Sequence, residues 1–290
     1  MPAAKPERTA FVIAGGGSFG AVHVGMLQAL VAHGVTADLV VGSSVGAMNG
    51  AYFAFHPDAE GVEQLANIWR GLTRREVFPV GFDTLTKLAF RGEFGIETAG
   101  LRRLIEKHLP GQDLARARLP IHVVATDFLS GEAVVLADGP VADAVIASCA
   151  IPGAFAPVKY RDHYLTDGAV ASNTPIMVAA DLGATRVIVL PTGFACALTS
   201  PPRGAIAHAL HAVTLLIARQ LISDMQIVGS RLKVVIVPPL CPLRGSAYDF
   251  SHAADLIERS AESTVKWLAG GGLGRSEVPG ELQAHGHAGT

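Results

Sequence analysis

Ser44 stands in Gly42-Ser43-Ser44-Val45-Gly46, directly after the apolar run Leu39-Val40-Val41 and directly before a small-residue helical pattern. A strand, a sharp turn and a helix in that order hold a serine hydroxyl clear of the backbone, where it can act as a nucleophile. Gly42 and Gly46 lack the Cβ atoms that would crowd such an elbow and block an approaching carbonyl. The same five residues also read as a helix cap after a strand, so the pattern alone leaves both readings open.

A second chemically suggestive stretch lies upstream. The buried-strand pattern Ala10 to Ala14 breaks into Gly15-Gly16-Gly17-Ser18-Phe19-Gly20 before a helical pattern from about Ala21 to Ala32. Backbone amides at a glycine-rich helix start can hold a phosphate or the oxyanion of a tetrahedral intermediate. Gly15, Gly17 and Gly20 also satisfy G-x-G-x-x-G, with Asp38 near the spacing of a ribose-binding acid. Asp38 precedes the second strand, whereas a ribose-binding carboxylate belongs at that strand's C-terminal end, so the spacing argues against a dinucleotide site.

A serine nucleophile needs a base. His208, His211 and His252 are the downstream histidines in the order expected of a Ser, Asp, His triad, but the first two fall within a helical pattern and the third at a helix start. Asp167, in Tyr164-Leu165-Thr166-Asp167-Gly168-Ala169, is better placed: a β-like run delivers it and Gly168 permits a turn after it. An Asp-Gly hairpin turn is the plain alternative.

The elements that must carry these groups alternate along the chain. Strand patterns cover Ala10 to Ala14, Leu39 to Val41, Ile121 to Thr126, Ala133 to Leu136, Arg186 to Leu190 and Lys233 to Val237. Helical patterns fall near Ala21 to Ala32, Ala47 to Ala54, Val141 to Cys149, Ile176 to Leu182, Ala205 to Val228 and Ala253 to Trp267. The expectation is an α/β three-layer α/β/α sandwich with a mostly parallel central sheet. Residues 56–120 depart from the alternation, are mainly helical, and read as a cap insertion bearing Trp69, Arg70, Phe78, Phe82, Lys87, Phe90, Arg91 and Phe94. One domain over residues 9–269 is expected, with flexible tails at 1–8 and 270–290.

Composition bounds the function. The 290 residues are 50% hydrophobic and 17% charged with a formal net charge of -2, which suits a large globular core and gives no support for nucleic-acid binding. Three cysteines, Cys149, Cys196 and Cys241, have no paired spacing and indicate neither a disulfide framework nor a zinc site. The uncharged run from Thr9 to Ala37 is interrupted by Gly, Ser and His too often for a membrane span, and the apolar segment after Arg8 is shorter than a signal-peptide core.

Taken together, Gly15-Gly16-Gly17-x-x-Gly20, Gly42-x-Ser44-x-Gly46, Ser148-x-Ala150-x-Pro152-x-x-Phe155-x-Pro157, Asp167-Gly168-Ala169 and Asn173-x-Pro175 resemble the patatin-like phospholipases. Order and context match over roughly Thr9 to Leu268, and Asp249-Phe250-Ser251 before the last helix is similar to the bacterial members. The resemblance implies a Ser/Asp dyad without histidine: Ser44 as nucleophile, Asp167 as general base, and amides of Gly15, Gly16, Gly17 and Ser18 as oxyanion hole. Gly20, Gly42, Gly46 and Gly168 support these turns.

The implied activity is a serine lipid acyl hydrolase of phospholipase A, lysophospholipase or carboxylesterase type, passing through an acyl-serine, with no cofactor or metal. An acyltransferase on a similar fold and a catalytically weak lipid-binding regulator are the alternatives. Its substrate would be a lipid or ester met in the cytoplasm, with transient contact at a membrane surface. Phe19 departs from the family, whose members commonly carry Arg or Lys there, so any help from that cation would be missing. His23, often histidine in the family, reads as a packing or loop-bracing residue, and His163 as a surface histidine beside Asp162.

Overall fold

The computed structural model of the protein describes residues 7–77, 98–193, 216, 220–221, 223–225, 227–228, 232–243 and 246–282. Eight strands form one sheet: β1 (Thr9–Ile13), β2 (Leu39–Ser43), β3 (Ile121–Asp127), β4 (Ala133–Leu136), β5 (Val158–Tyr160), β6 (His163–Thr166), β7 (Arg186–Leu190) and β8 (Lys233–Ile236). Their order is β5-β6-β3-β2-β1-β7-β8, with β4 off this path and paired to β3. The strands β1, β2, β3, β7 and β8 run parallel, whereas β4, β5 and β6 are antiparallel additions. β5 was not legible in the sequence because three residues carry no period.

The central strands read as apolar runs because both sheet faces are covered. Alternation sends Phe11 and Ile13 of β1 to one face, with α1 (Ala21–Ala32), α2 (Val45–Phe55), α6 (Val141–Ser148) and α9 (Ala253–Ala269). Ala10 and Val12 go to the other face, packed with Ile176 and Ala179 of α8 (Ile176–Asp181) and with Leu221 and Val228. The architecture is therefore the three-layer α/β/α sandwich. No helix among the described residues is long and apolar enough to cross a membrane.

Between residues 56 and 120 lie α3 (Ala59–Gly71), α4 (Arg74–Val77), α5 (Ala99–His108) and a 3-10 turn, Leu114–Arg116. Asp58 caps α3 by accepting from the Gly61 amide at 2.9 Å. The apolar face of α3, Val62, Leu65, Ala66 and Trp69, is buried in the main core, so this part of the insertion is packed into the domain. Phe78, Phe82, Lys87, Phe90, Arg91 and Phe94 lie outside the described residues, as do Cys196, His208, His211 and most of the helical pattern from Ala205 to Val228.

The expectation of a free tail from residue 270 is corrected for residues 270–282. Gly272 is buried against the Trp267 ring, where a side chain would not fit, and Leu282 is buried in the second core cluster. Apolar contacts hold a segment whose Gly content suggested freedom.

Candidate active site

Three turns meet at the C-terminal ends of β1, β2 and β3. β2 ends at Ser43, and Ser44 takes φ 53° and ψ -127° before α2 begins at Val45. Only one other described non-glycine residue, Arg161, has positive φ. Such a backbone costs on the order of 1–3 kcal/mol and persists where surrounding packing fixes it. Here a Cβ on Gly46 would run into the Ile13 and Ala14 carbonyls of β1, and one on Gly42 into the Gly46 backbone.

Asp167 reaches Ser44 from the end of β6. The Ser44 Oγ donates to Asp167 Oδ2 at 2.7 Å, and both residues are buried. Asp167 Oδ1 accepts from the Ala169 amide at 2.8 Å, the Asp167 amide donates to the Ala150 carbonyl at 3.0 Å, and Thr126 Oγ1 donates to the Asp167 carbonyl at 2.8 Å. Burial pushes the carboxyl up to about 6, against the smaller opposing pull of the Ala169 amide and the Ser44 hydroxyl. Near neutral pH the group is thus an anion with a raised proton affinity, as a base requires.

Ser148 joins the parts. Its Oγ accepts from the Ser44 amide at 2.8 Å and donates to the Val124 carbonyl at 2.6 Å, while its own carbonyl accepts from the Gly168 amide at 3.1 Å. One residue therefore braces Ser44, β3 and the turn after Asp167. Cys149 follows it, with a thiol raised well above its ordinary range by burial and then by the Asp167 charge, a rise the Ser44 hydroxyl opposes. It is held as a thiol rather than a competing thiolate. Burial, then the same Asp167 charge, pushes the Tyr248 phenol up to about 12.

The glycine loop closes over the serine. A Cβ on Gly15 would stand 3.2 Å from the Ser44 Cβ. Two of the four amides expected as oxyanion donors are already engaged: Gly15 donates to the Asn173 carbonyl at 3.0 Å and Ser18 to the Ala247 carbonyl at 2.7 Å. The amides of Gly16 and Gly17 have no acceptor among the described residues. The expected set of four free donors is thereby narrowed to two.

Residues 11–180 match the sequence model of the family described as "Patatin-like phospholipase", a span that contains every one of these turns up to Asn173. The chain belongs to the patatin-like phospholipase family. It is 30% identical over 186 residues to "Patatin-like phospholipase domain-containing protein 6" of Homo sapiens, covering 63% of this chain and 13% of that protein. An "Uncharacterized NTE family protein" of Mycobacterium tuberculosis is 31% identical over 190 residues, covering 63% of this chain and 48% of its own. The chain thus spans less than half the length of each of these curated relatives. Among solved structures, VipD from Legionella pneumophila is similar over 92% of this chain and 68% of its own, with TM-score 0.49 and 15% identity. Human GIVD cytosolic phospholipase A2 is similar over 90% and 58%, with TM-score 0.46 and 12% identity.

Within this patatin-like domain the remaining sequence candidates fall into place. Phe19, where the family commonly has a cation, is only 4% exposed and belongs to the main core. His23 is fully buried, and burial lowers its pKa to about 3, so it is neutral. Its Nδ1 lies 3.3 Å from Asn49 Nδ2, while its Nε2, turned toward the Leu190 carbonyl, makes no well-formed hydrogen bond. Asn49 is the residue that sequence reasoning missed: its Nδ2 donates to the Gly20 carbonyl at 2.9 Å and its Oδ1 accepts from Trp69 Nε1 at 2.9 Å. A lone polar residue in a small-residue helix was the available signal.

His252, the one alternative base among the described residues, makes no hydrogen bond to the serine. His252 is exposed and lies 3.5 Å from Asp249, and His163 Nδ1 pairs with Asp127 Oδ2 at 2.7 Å rather than with Asp162. Asp38 Oδ2 accepts from the Thr9 amide at 2.7 Å, tying β1 to the start of β2 at the sheet end opposite the glycine loop.

Proposed function

We propose that the protein is a serine lipid acyl hydrolase that works through Ser44 and Asp167 with no imidazole between them. The 2.7 Å hydrogen bond from Ser44 Oγ to Asp167 Oδ2 carries this reading, because it sets the proton on the path it must take. As Ser44 Oγ attacks an ester carbonyl, its proton passes to Asp167 and the carbonyl oxygen becomes an oxyanion. The unengaged amides of Gly16 and Gly17, at the start of the 3-10 turn that leads into α1, receive that oxyanion, while Gly15 and Ser18 anchor the loop. Asp167 then gives its proton to the leaving alcohol or lysolipid, leaving an acyl-serine. In the second half-reaction Asp167 takes a proton from water, hydroxide adds to the acyl carbon, and the fatty acid leaves as Ser44 recovers its proton. Family membership supports an ester of the lipid class as the substrate.

The test is hydrolysis of p-nitrophenyl butyrate. Ser44→Ala and Asp167→Asn should each lower kcat/KM by about a thousandfold or more, with an unchanged circular dichroism spectrum. Wild-type turnover in Asp167→Asn, or its loss in His252→Ala, would sink the dyad.

A further inference from the structure

Eight large hydrophobic residues are exposed among the described residues, and four of them, Phe128, Leu129, Tyr164 and Val170, come from the region where the C-terminal end of β3 meets β6 and α7 (Ala169–Ser172). Phe128 is 51%, Leu129 79%, Tyr164 48% and Val170 54% exposed. The register Thr126↔Thr166 and Asp127↔Leu165, extended by the Phe128 amide donating to the Tyr164 carbonyl at 2.7 Å, sets Phe128 opposite Tyr164. The Ala171 amide donates to Thr126 Oγ1 at 3.1 Å, seating α7 on the same strand end, and Val170 is three residues past Asp167. The patch therefore stands at the sheet edge that carries the dyad.

The turn that presents Phe128 and Leu129 does not need them. Asp127 Oδ1 accepts from the Leu129 and Ser130 amides at 3.0 and 2.9 Å and so shapes the turn by itself, while Oδ2 is held by His163. Small polar residues serve such a tip, and two large apolar ones in water work against folding and solubility. Together the exposed side chains present a few hundred Å², the size of a functional patch but short of the ~800 Å² per partner that a stable dimer buries. A bilayer asks for no matching partner surface: each side chain enters the interface separately. Lys159, opposite Tyr164, and Arg161 stand with Asp127, Asp162 and Glu132, so the rim has no single sign to select anionic lipid.

We propose that Phe128, Leu129, Tyr164 and Val170 seat the protein on the surface of a zwitterionic phospholipid bilayer, with the Ser44 and Asp167 end of the sheet toward the lipid. The use of that orientation in turnover rests on the acyl-hydrolase reading; the binding itself does not. The experiment measures co-sedimentation of the Ser44→Ala protein with phosphatidylcholine vesicles, with and without the double change Phe128→Ser and Leu129→Ser. The double variant should partition roughly tenfold more weakly or worse, with little dependence on salt. In the Ser44 background it should lose hydrolysis of phosphatidylcholine vesicles yet keep the wild-type rate on dissolved p-nitrophenyl butyrate. Absence of vesicle binding, equal binding by both proteins, or a dimer in solution that the double change splits would overturn the proposal. Lack of hydrolysis on any ester, with binding lost only in the double variant, would instead count against the enzymatic reading alone.

Discussion

Two glycine turns of similar composition are put to opposite use in this molecule. Both lie where a central parallel strand gives way to a helix, Gly15 to Gly20 after β1 and Gly42 to Gly46 across the end of β2. In the second, glycine is demanded by the sheet itself, since side chains at 42 and 46 would strike backbone of the elbow and of β1. Steric closure there holds Ser44 in its strained conformation. The first turn is tied from outside, by the Asn173 and Ala247 carbonyls, Thr192 Oγ1 and Asn49 Nδ2, and keeps two amides unspent. Strain is thus concentrated on Ser44 and free donors on the loop, a division that a motif of glycines does not announce.

The largest effect on stability should come from adding one methyl group to the turn bound into the sheet. Gly46→Ala drives a Cβ into two β1 carbonyls that move only with the sheet, and should cost about 3 kcal/mol or more, lowering Tm by about 10 °C. Gly17→Ala pays for a left-handed φ of 60° and for contact with the Ala247 carbonyl, which belongs to a turn outside the sheet. Its cost should be about 1–2 kcal/mol of stability together with roughly a tenfold loss in kcat. Thermal melts and ester kinetics on both variants decide the matter: equal melting temperatures would break the contrast between sheet-locked and loop-tied glycine.

The fold class was legible in the alternation of strand and helix patterns, and Ser44, Asp167 and the glycine loop could be singled out as candidates because each follows a strand-like run and stands beside small residues with a steric reason. Which loop amides remain free was not legible, because Asn173 and Ala247 engage the amides of Gly15 and Ser18 from 158 and 229 positions away in the chain. Ser148 appeared only as part of a resemblance, since a buried serine bridging two strands has no local signature. The short strand β5 and the docked segment 270–282 are set by tertiary contacts rather than by period or composition.

A second test separates the two turns by pH, since a carboxylate titrates and backbone amides do not. With Asp167 pushed up to about 6, kcat/KM should be level above pH 7 and fall toward tenfold per unit below about 6. The effect on stability has the opposite sense. The folded pKa lies above the unfolded value of about 3.8, so the charged form penalises folding. That penalty is absent below about pH 3.8, grows as pH rises, and is complete above about 6. Asp167→Asn removes a cost on the order of 2–3 kcal/mol at pH 7 while keeping the shape that reaches Ser44 and Ala169. Its melting temperature should therefore match or exceed that of the wild type at pH 7 and lose the advantage near pH 4. A destabilised Asp167→Asn at pH 7 would mean that the carboxylate is structural, and that the elbow relies on it as the loop relies on its anchors.

A last test addresses the tie between the turns. Asn49 lies on α2, just past the elbow, yet its amide donates to Gly20 at the end of the glycine loop and its oxygen accepts from Trp69 on α3. Asn49→Ala leaves the Gly20 carbonyl and Trp69 Nε1 buried without those partners, at about 2 kcal/mol. If Asn49 sets the distance between loop amides and Ser44, kcat should fall about tenfold with KM unchanged, because the oxyanion exists only beyond the ground state. Trp69→Phe removes one bond of the network and leaves the Gly20 bond intact, so its kcat should stay near wild type although its Tm drops. Asn49→Asp keeps the acceptor for Trp69 and loses the donor to Gly20, and should resemble Asn49→Ala in kcat. Equal kcat losses in Asn49→Ala and Trp69→Phe at matched stability would reduce Asn49 to packing, and the loop would then be held by Asn173, Thr192 and Ala247 alone.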